Sequence, residues 1–267
     1  MLYIVCALHC EAKPIIDFYK LSIESEASFP VFSNQHMGLI VAGIGKISVA
    51  AAMAYLYARG GEKKHIAWLN IGIAGHRTFP LGCLININKV TDESSQVNWY
   101  PARYSELMEQ SSSLITVEHP VESYDSLSVY EMEASAFMAT ALRFSPVELI
   151  QVIKVISDNE EHHVERVDKV LVSNLITENL PKIDETIKCL NAQLGQYCET
   201  YDDSIIYSQC EKNWHFTQYQ KKSLSRLIQR WHALSDNVSF SLISQCKDAK
   251  SVIKTLETLI SRCSIEY

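Results

Sequence analysis

Continuous apolar runs, rather than alternating ones, are what most restrict the folds open to this chain. They fall at residues 2–8, 30–33, 38–42, 66–71, 84–87, 114–117 and 149–156 and are rich in Ile, Val and Leu. A strand with one wet face alternates apolar and polar residues, whereas a strand covered on both faces does not need to. Stretches of helical spacing lie between them, at residues 13–19, 46–57, 132–142 and 167–190. Buried strands separated by helices predict an α/β layered domain.

At 267 residues, with 47% hydrophobic and 21% charged content, the chain has room for one large domain and an appendage. The pattern breaks near residues 196–203, which predicts a domain at 1–197 and a mainly helical extension at 198–267. In the extension, Leu224, Leu227, Ile228, Trp231 and Leu234 form one helical stripe. Ala249, Val252, Ile253, Leu256, Leu259 and Ile260 form another, and Val238, Phe240 and Leu242 alternate with serines as a short extended segment would. The net charge of −7 argues against a surface that attracts nucleic acid. From residue 211 onward, however, nine Lys and Arg face five Asp and Glu. Lys212, Lys221, Lys222, Arg226 and Arg230 read either as a solvated helix face or as a basic helix that docks an acidic partner.

No apolar run reaches the ~20 residues of a membrane-spanning helix. The run at 2–8 lacks a basic segment before it and reads as a buried strand rather than an export signal. The eight cysteines show no Cys-x-x-Cys pair or zinc spacing, so reduced thiols, a cytoplasmic location and no metal or other cofactor are expected. His162 and His163 are adjacent and have no matching ligand set.

Two glycine clusters follow strands. Gly43-Ile44-Gly45 lacks the third glycine of a dinucleotide fingerprint, and Gly72-Ile73-Ala74-Gly75 lacks the Lys-Ser/Thr of a P-loop. Both read as tight turns. The acids are more informative. Glu11 follows the first apolar run, Glu131 and Glu133 flank Met132 just before a small-residue helical run, and Asp158 ends the run at 149–156. Strand ends and helix starts are where α/β proteins place binding sites. Three carboxylates of this kind suit N-glycosidic cleavage. One protonates the departing base, one takes a proton from water and one holds the sugar hydroxyls, while positive charge builds on the sugar.

Five motifs occur in order: Ala7-Leu8-His9-Cys10-Glu11, Gly43-Ile44-Gly45-Lys46, Asn70-Ile71-Gly72-Ile73-Ala74-Gly75, Glu131-Met132-Glu133-Ala134 and Ile156-Ser157-Asp158. This series resembles the purine nucleoside phosphorylase/uridine phosphorylase family, and within it the methylthioadenosine/S-adenosylhomocysteine nucleosidases. The likeness spans about residues 1–195. It implies a three-layer α/β fold with a central mixed sheet, and a homo-oligomer. By motif position, Glu11 resembles the residue that activates water. Glu133 resembles the one that holds the ribose hydroxyls, with Met132 packed on the sugar, and Asp158 resembles the acid that protonates the purine. Ile73 and Ser157 join Met132 and Glu133 in the implied substrate-binding set.

Water is favoured over phosphate as nucleophile. Asn70 stands as in the nucleosidases, no arginine precedes Glu11, and Arg77 after the second glycine turn, which an oxyanion could recruit, reads better as a surface cation. Departures from the family pattern concern the base. Ile73 replaces a small hydroxyl residue, the segment at 116–122 lacks the usual base-binding residues, and the stretch from 90 to 130 is short. A phosphate-dependent phosphorylase and a nucleoside-binding module without turnover therefore stand beside the hydrolase.

Overall fold

The computed structural model describes the chain from Met1 to Cys263, apart from residues 26–27, 61–64, 105–109, 122–123, 125–126, 201–202 and 236–237. It divides into two compact units, Met1–Gly195 and Gln196–Tyr267. In chain order the first carries β1 (Leu2–Cys6), α1 (His9–Tyr19), β2 (Ser22–Ser25), β3 (Val31–Ser33), β4 (Met37–Val41), α2 (Lys46–Arg59), β5 (Ala67–Gly75) and β6 (Leu84–Asp92). Then come β7 (Asn98–Trp99), β8 (Ser111–Thr116), β9 (Val129–Glu131), α3 (Ala134–Ala141), β10 (Ile150–Asp158), α4 (Lys169–Glu178) and α5 (Leu180–Thr200), of which residues 180–195 belong to this unit.

These elements build a mixed α/β body around one large sheet. The strand order is β10-β6-β8-β9-β5-β1-β4-β3-β2, with β7 on β6 and a further pairing of β10 with β5. β1 runs parallel to β4 and β5, and β10 parallel to β5, while β6 is antiparallel to β10. Gly75, the last residue of β5, pairs with Tyr130 of β9 on one side and with Asp158 of β10 on the other. The ends of three strands thus meet at one point.

The unalternating runs have the expected cause. Tyr3 and Val5 of β1, Ile40 of β4, Trp68 of β5 and Val152 of β10 face Ala52, Met53 and Leu56 of α2 and Phe137 and Met138 of α3 in one core. The intervening Leu2, Ile4 and Cys6 are buried just as completely. On this scale each fully buried large apolar side chain contributes about 1.5–3 kcal/mol. The Trp68 indole N–H donates to Ser145 Oγ at 3.1 Å, which satisfies the one polar atom that the largest core side chain brings in.

Three expectations change in the first unit. Gly72-Ile73-Ala74-Gly75 continues β5 instead of turning, because glycine at 72 makes room for the Glu11 carboxylate. A Cβ there would lie 2.9 Å from Glu11 Oε1. The long helix at 167–190 is two helices, parted at Asn179, whose amide donates to Leu175 O and Gly82 O. Glu11 lies in the first turn of α1 rather than at the end of β1.

The second unit, by itself, holds α6 (Asp203–Asn213), α7 (Gln218–Leu234) and α8 (Ala249–Cys263) around Cys210, Phe216, Leu224, Ile228, Trp231, Val252, Leu256 and Ile260. A Thr217–Gln220 capping box starts α7. The segment read as extended is a 3-10 turn, Phe240–Leu242. Lys222, Arg226 and Arg230 are exposed, and Lys221 pairs with Glu211 at 2.6 Å. Among the described residues no helix is long and apolar enough to cross a membrane.

Candidate active site

Glu11 owes its position to the way α1 begins. Leu8 is the N-cap, and its backbone N–H donates to Glu11 Oε2 at 2.8 Å, the half of a capping box that needs no hydroxyl. The N–H of Ile73 on β5 donates to Oε1 at 2.9 Å. Glu11 is buried, and that burial raises its pKa against the pull of these two bonds and of Lys154.

Glu131 ends β9, three residues before α3 begins. Its carboxylate accepts the N–H groups of Glu133 and Ala134 and the hydroxyl of Thr116, satisfying donors that a helix start leaves open. Its Oε2 also lies 2.8 Å from Lys154 Nζ, and both side chains are 2% exposed. A lysine is almost never buried so fully unless paired. Burial alone lowers its pKa, but Glu131, Glu133 and Glu11 overcome that and the net shift is upward. Lys154 is a site residue that the sequence reading missed. The available signal was a single charge inside the apolar run at 149–156.

Glu133 precedes α3 and points back at the first glycine turn, where Gly45 N–H donates to its Oε1 at 2.8 Å. Gly43 and Gly45 have φ of +85° and +94°, a region that favours glycine. Among the described residues the second oxygen, Oε2, carries no hydrogen bond. Burial first, then the charge of Glu131, pushes the Glu133 pKa up from 4.5 to about 7.

A pH dependence of stability follows. Between about pH 4.5 and 7 the folded chain keeps a proton on Glu133 that the unfolded chain has lost. Stability therefore falls as pH rises through that window, by about 3 kcal/mol for this group. Urea unfolding across the window should show a negative slope that Glu133→Gln flattens; an unchanged slope in the variant would contradict it.

Asp158 closes β10 beside a register shift. The hydroxyl of Ser157 donates to its Oδ1 at 2.5 Å, and the hydroxyl of Tyr124 donates to Oδ2. Tyr124 is the second residue missed. It is buried, and burial together with Asp158 raises its pKa so far that it stays a donor.

Glu11, Glu131, Glu133, Asp158 and Tyr124 line one cavity of about 190 Å³, and Lys154 lies behind its wall on Glu131. Glu11, Glu131, Glu133, Asp158, Met132, Ile73 and Ser157 all contribute to its wall, so every site residue expected from the sequence is brought there. Ile44, Val117 and Val164 supply apolar wall, and among the described residues no lysine, arginine or histidine lines it. Arg77 is paired instead with Glu160 at 2.9 Å, and Asn70 donates to Val5 O within the sheet. His119 is exposed and does not line the cavity, and Glu122 lies outside the described residues. Among the described residues no group of His, Cys, Asp and Glu could hold a metal ion.

No family model and no curated protein matches the sequence. Solved structures do match. The apo 5′-methylthioadenosine nucleosidase of Arabidopsis thaliana aligns with a TM-score of 0.60 and 13% identity, over 71% of this chain and 95% of that one. The 5′-methylthioadenosine/S-adenosylhomocysteine nucleosidase of Helicobacter pylori, with butyl-thio-DADMe-Immucillin-A, gives 0.57 and 14% over 70% and 97%. That of S. pneumoniae, with the transition-state inhibitor MT-ImmA, gives 0.57 and 16% over 68% and 96%. Over about 70% of its length, therefore, this chain has the fold of the methylthioadenosine/S-adenosylhomocysteine nucleosidases.

Proposed function

We propose that this chain is an N-ribosyl hydrolase that cleaves the glycosidic bond of a purine nucleoside resembling methylthioadenosine or S-adenosylhomocysteine. The observation that carries this reading is the gathering of Glu11, Glu133 and Asp158 about one cavity. Residues 1–197 form the catalytic domain in this reading, with the family's three-layer arrangement, and 198–267 form a helical extension.

Each carboxylate has a part that its surroundings suit. Glu133, with Oε1 fixed by Gly45, offers Oε2 to the ribose hydroxyls while Met132 packs against the sugar. As the bond from C1′ to the purine breaks, its electron pair goes to the base and Asp158 gives a proton to a ring nitrogen. Glu11 takes a proton from water, whose oxygen bonds to C1′. The products are free base and the free sugar, and solvent exchange resets the two acids. General acid and base groups each supply about 10²–10⁴-fold in such steps.

Charge favours water over phosphate. Four carboxylates line the cavity, and among the described residues the one buried cation beside them, Lys154, is already held by Glu131. A phosphate dianion would enter a region of its own sign without an arginine to receive it. One observation favours a second reading, a nucleoside-binding module without turnover: hydroxyls of Tyr124 and Ser157 already occupy both oxygens of Asp158.

Incubation with a nucleoside panel, with and without phosphate, decides among these. Free base released at equal rates in both conditions is the expected result. Strict phosphate dependence would move the assignment to a phosphorylase, and tight binding without release to the module.

A further inference from the structure

Lys46 contradicts its own helix. It is the first residue of α2, where the helix dipole disfavours a cation, and the first turn holds no acid to offset it. Local misfits of this kind concentrate at functional positions. Its compensation comes from elsewhere in the chain. The ammonium lies 2.8 Å from Asp92 Oδ2 at the end of β6 and also pairs with Glu118. Asp92 is buried and serves as a hub. Its Oδ2 accepts the Ser135 hydroxyl of α3 at 2.9 Å, and its Oδ1 accepts the hydroxyls of Ser94 and Ser95.

Those partners sit behind the walls of the nucleoside cavity. Gly45, the neighbour of Lys46, is the donor to Glu133 Oε1. Ser135 is two residues beyond Glu133, and Glu118 follows Val117 and precedes Pro120, both in the cavity wall. We propose that Lys46 is a positioning residue: through Asp92 and Glu118 it fixes the Gly43–Gly45 turn, the start of α3 and the loop at 117–121 to one another. The Gly45 N–H is thereby held on the carboxylate assigned to the ribose. Lys46 itself does not line the cavity. The role rests on the nucleosidase reading, but the anchoring of Glu133 can be measured without turnover.

The test uses the full chain with its glutamates ¹³C-labelled, and follows the carboxyl carbon of Glu133 through a pH titration in Lys46→Met, Asp92→Asn and Lys46→Arg. The Gly45 N–H favours the ionised carboxylate, so loosening the turn moves the Glu133 midpoint up. Positioning predicts an upward move, by about half a unit or more, in both Lys46→Met and Asp92→Asn. A change of charge alone predicts opposite moves, up on losing the cation and down on losing the anion. The other charged groups facing Glu133, namely Glu131, Lys154 and Glu11, are the same in all variants.

Lys46→Arg, which can still span Asp92 and Glu118, should restore most of the wild-type midpoint. For base release, Lys46→Met is expected to lower kcat about tenfold with a smaller rise in KM. Opposite moves, or an unmoved midpoint in folded Lys46→Met, overturn the proposal. If the wild type releases no base, the hydrolase reading fails while the titration still decides the role of Lys46.

Discussion

Lys154→Met should destabilise the first unit by about 3–5 kcal/mol at pH 8, the usual cost of leaving a buried charge without its partner. The lysine and Glu131 are both 2% exposed, so solvent cannot take over from the missing ammonium. Glu11 and Glu133 feel the same cation, and its loss raises their pKa values further. The penalty should shrink at pH 5, because Glu133, with its midpoint already at about 7, is protonated there. Urea unfolding at the two pH values measures this. Lys154→Met combined with Glu131→Gln should recover most of the loss, since neither partner is then charged. A single variant as stable at pH 8 as the parent would show that the pair is not holding the site together.

Asp158→Asn is expected to cut base release by about 10²–10⁴-fold, the range of a general acid. Asparagine keeps the shape and can still accept from one of the Ser157 and Tyr124 hydroxyls while its NH2 donates to the other, but it has no acidic proton to give. Binding of a non-cleavable nucleoside analogue should therefore change little. The loss should also shrink for a riboside whose leaving group is a nitrophenol, which departs without protonation. An equal loss on both substrates would mean that Asp158 acts by shaping the pocket, and an unchanged rate would remove it from the mechanism.

The α/β character was legible because burial on both faces writes itself into a strand as an unbroken apolar run, as at 149–156. The short strands were not. β7 has two residues and β9 three, too few for any period to show. Glu11, Glu133 and Asp158 were legible through motif order, and they share a cavity wall. Lys154 was hidden by its neighbours, since a run of Ile and Val reads as core whatever one member carries. Tyr124 lies in the shortened stretch before β9, where no spacing pattern predicts what a side chain will meet. The reading of Gly72 as a turn failed for a physical reason. Gly72 answers to Glu11, a residue 61 positions away, and not to the local backbone.

β10 carries Lys154 and, four residues on, Asp158, with Gly72 and Gly75 as their partners on β5. Successive residues of a strand point to opposite faces, so a slip of one residue would turn Lys154 away from Glu131 and bury its charge among aliphatic side chains. Val155 or Ile153 would then stand among the carboxylates. Few hydrophobic strands are so intolerant of misalignment, because most can exchange one aliphatic residue for another. Here a single ammonium acts as an index mark for the central strand pairing, so that mispaired chains are penalised before any ligand is met.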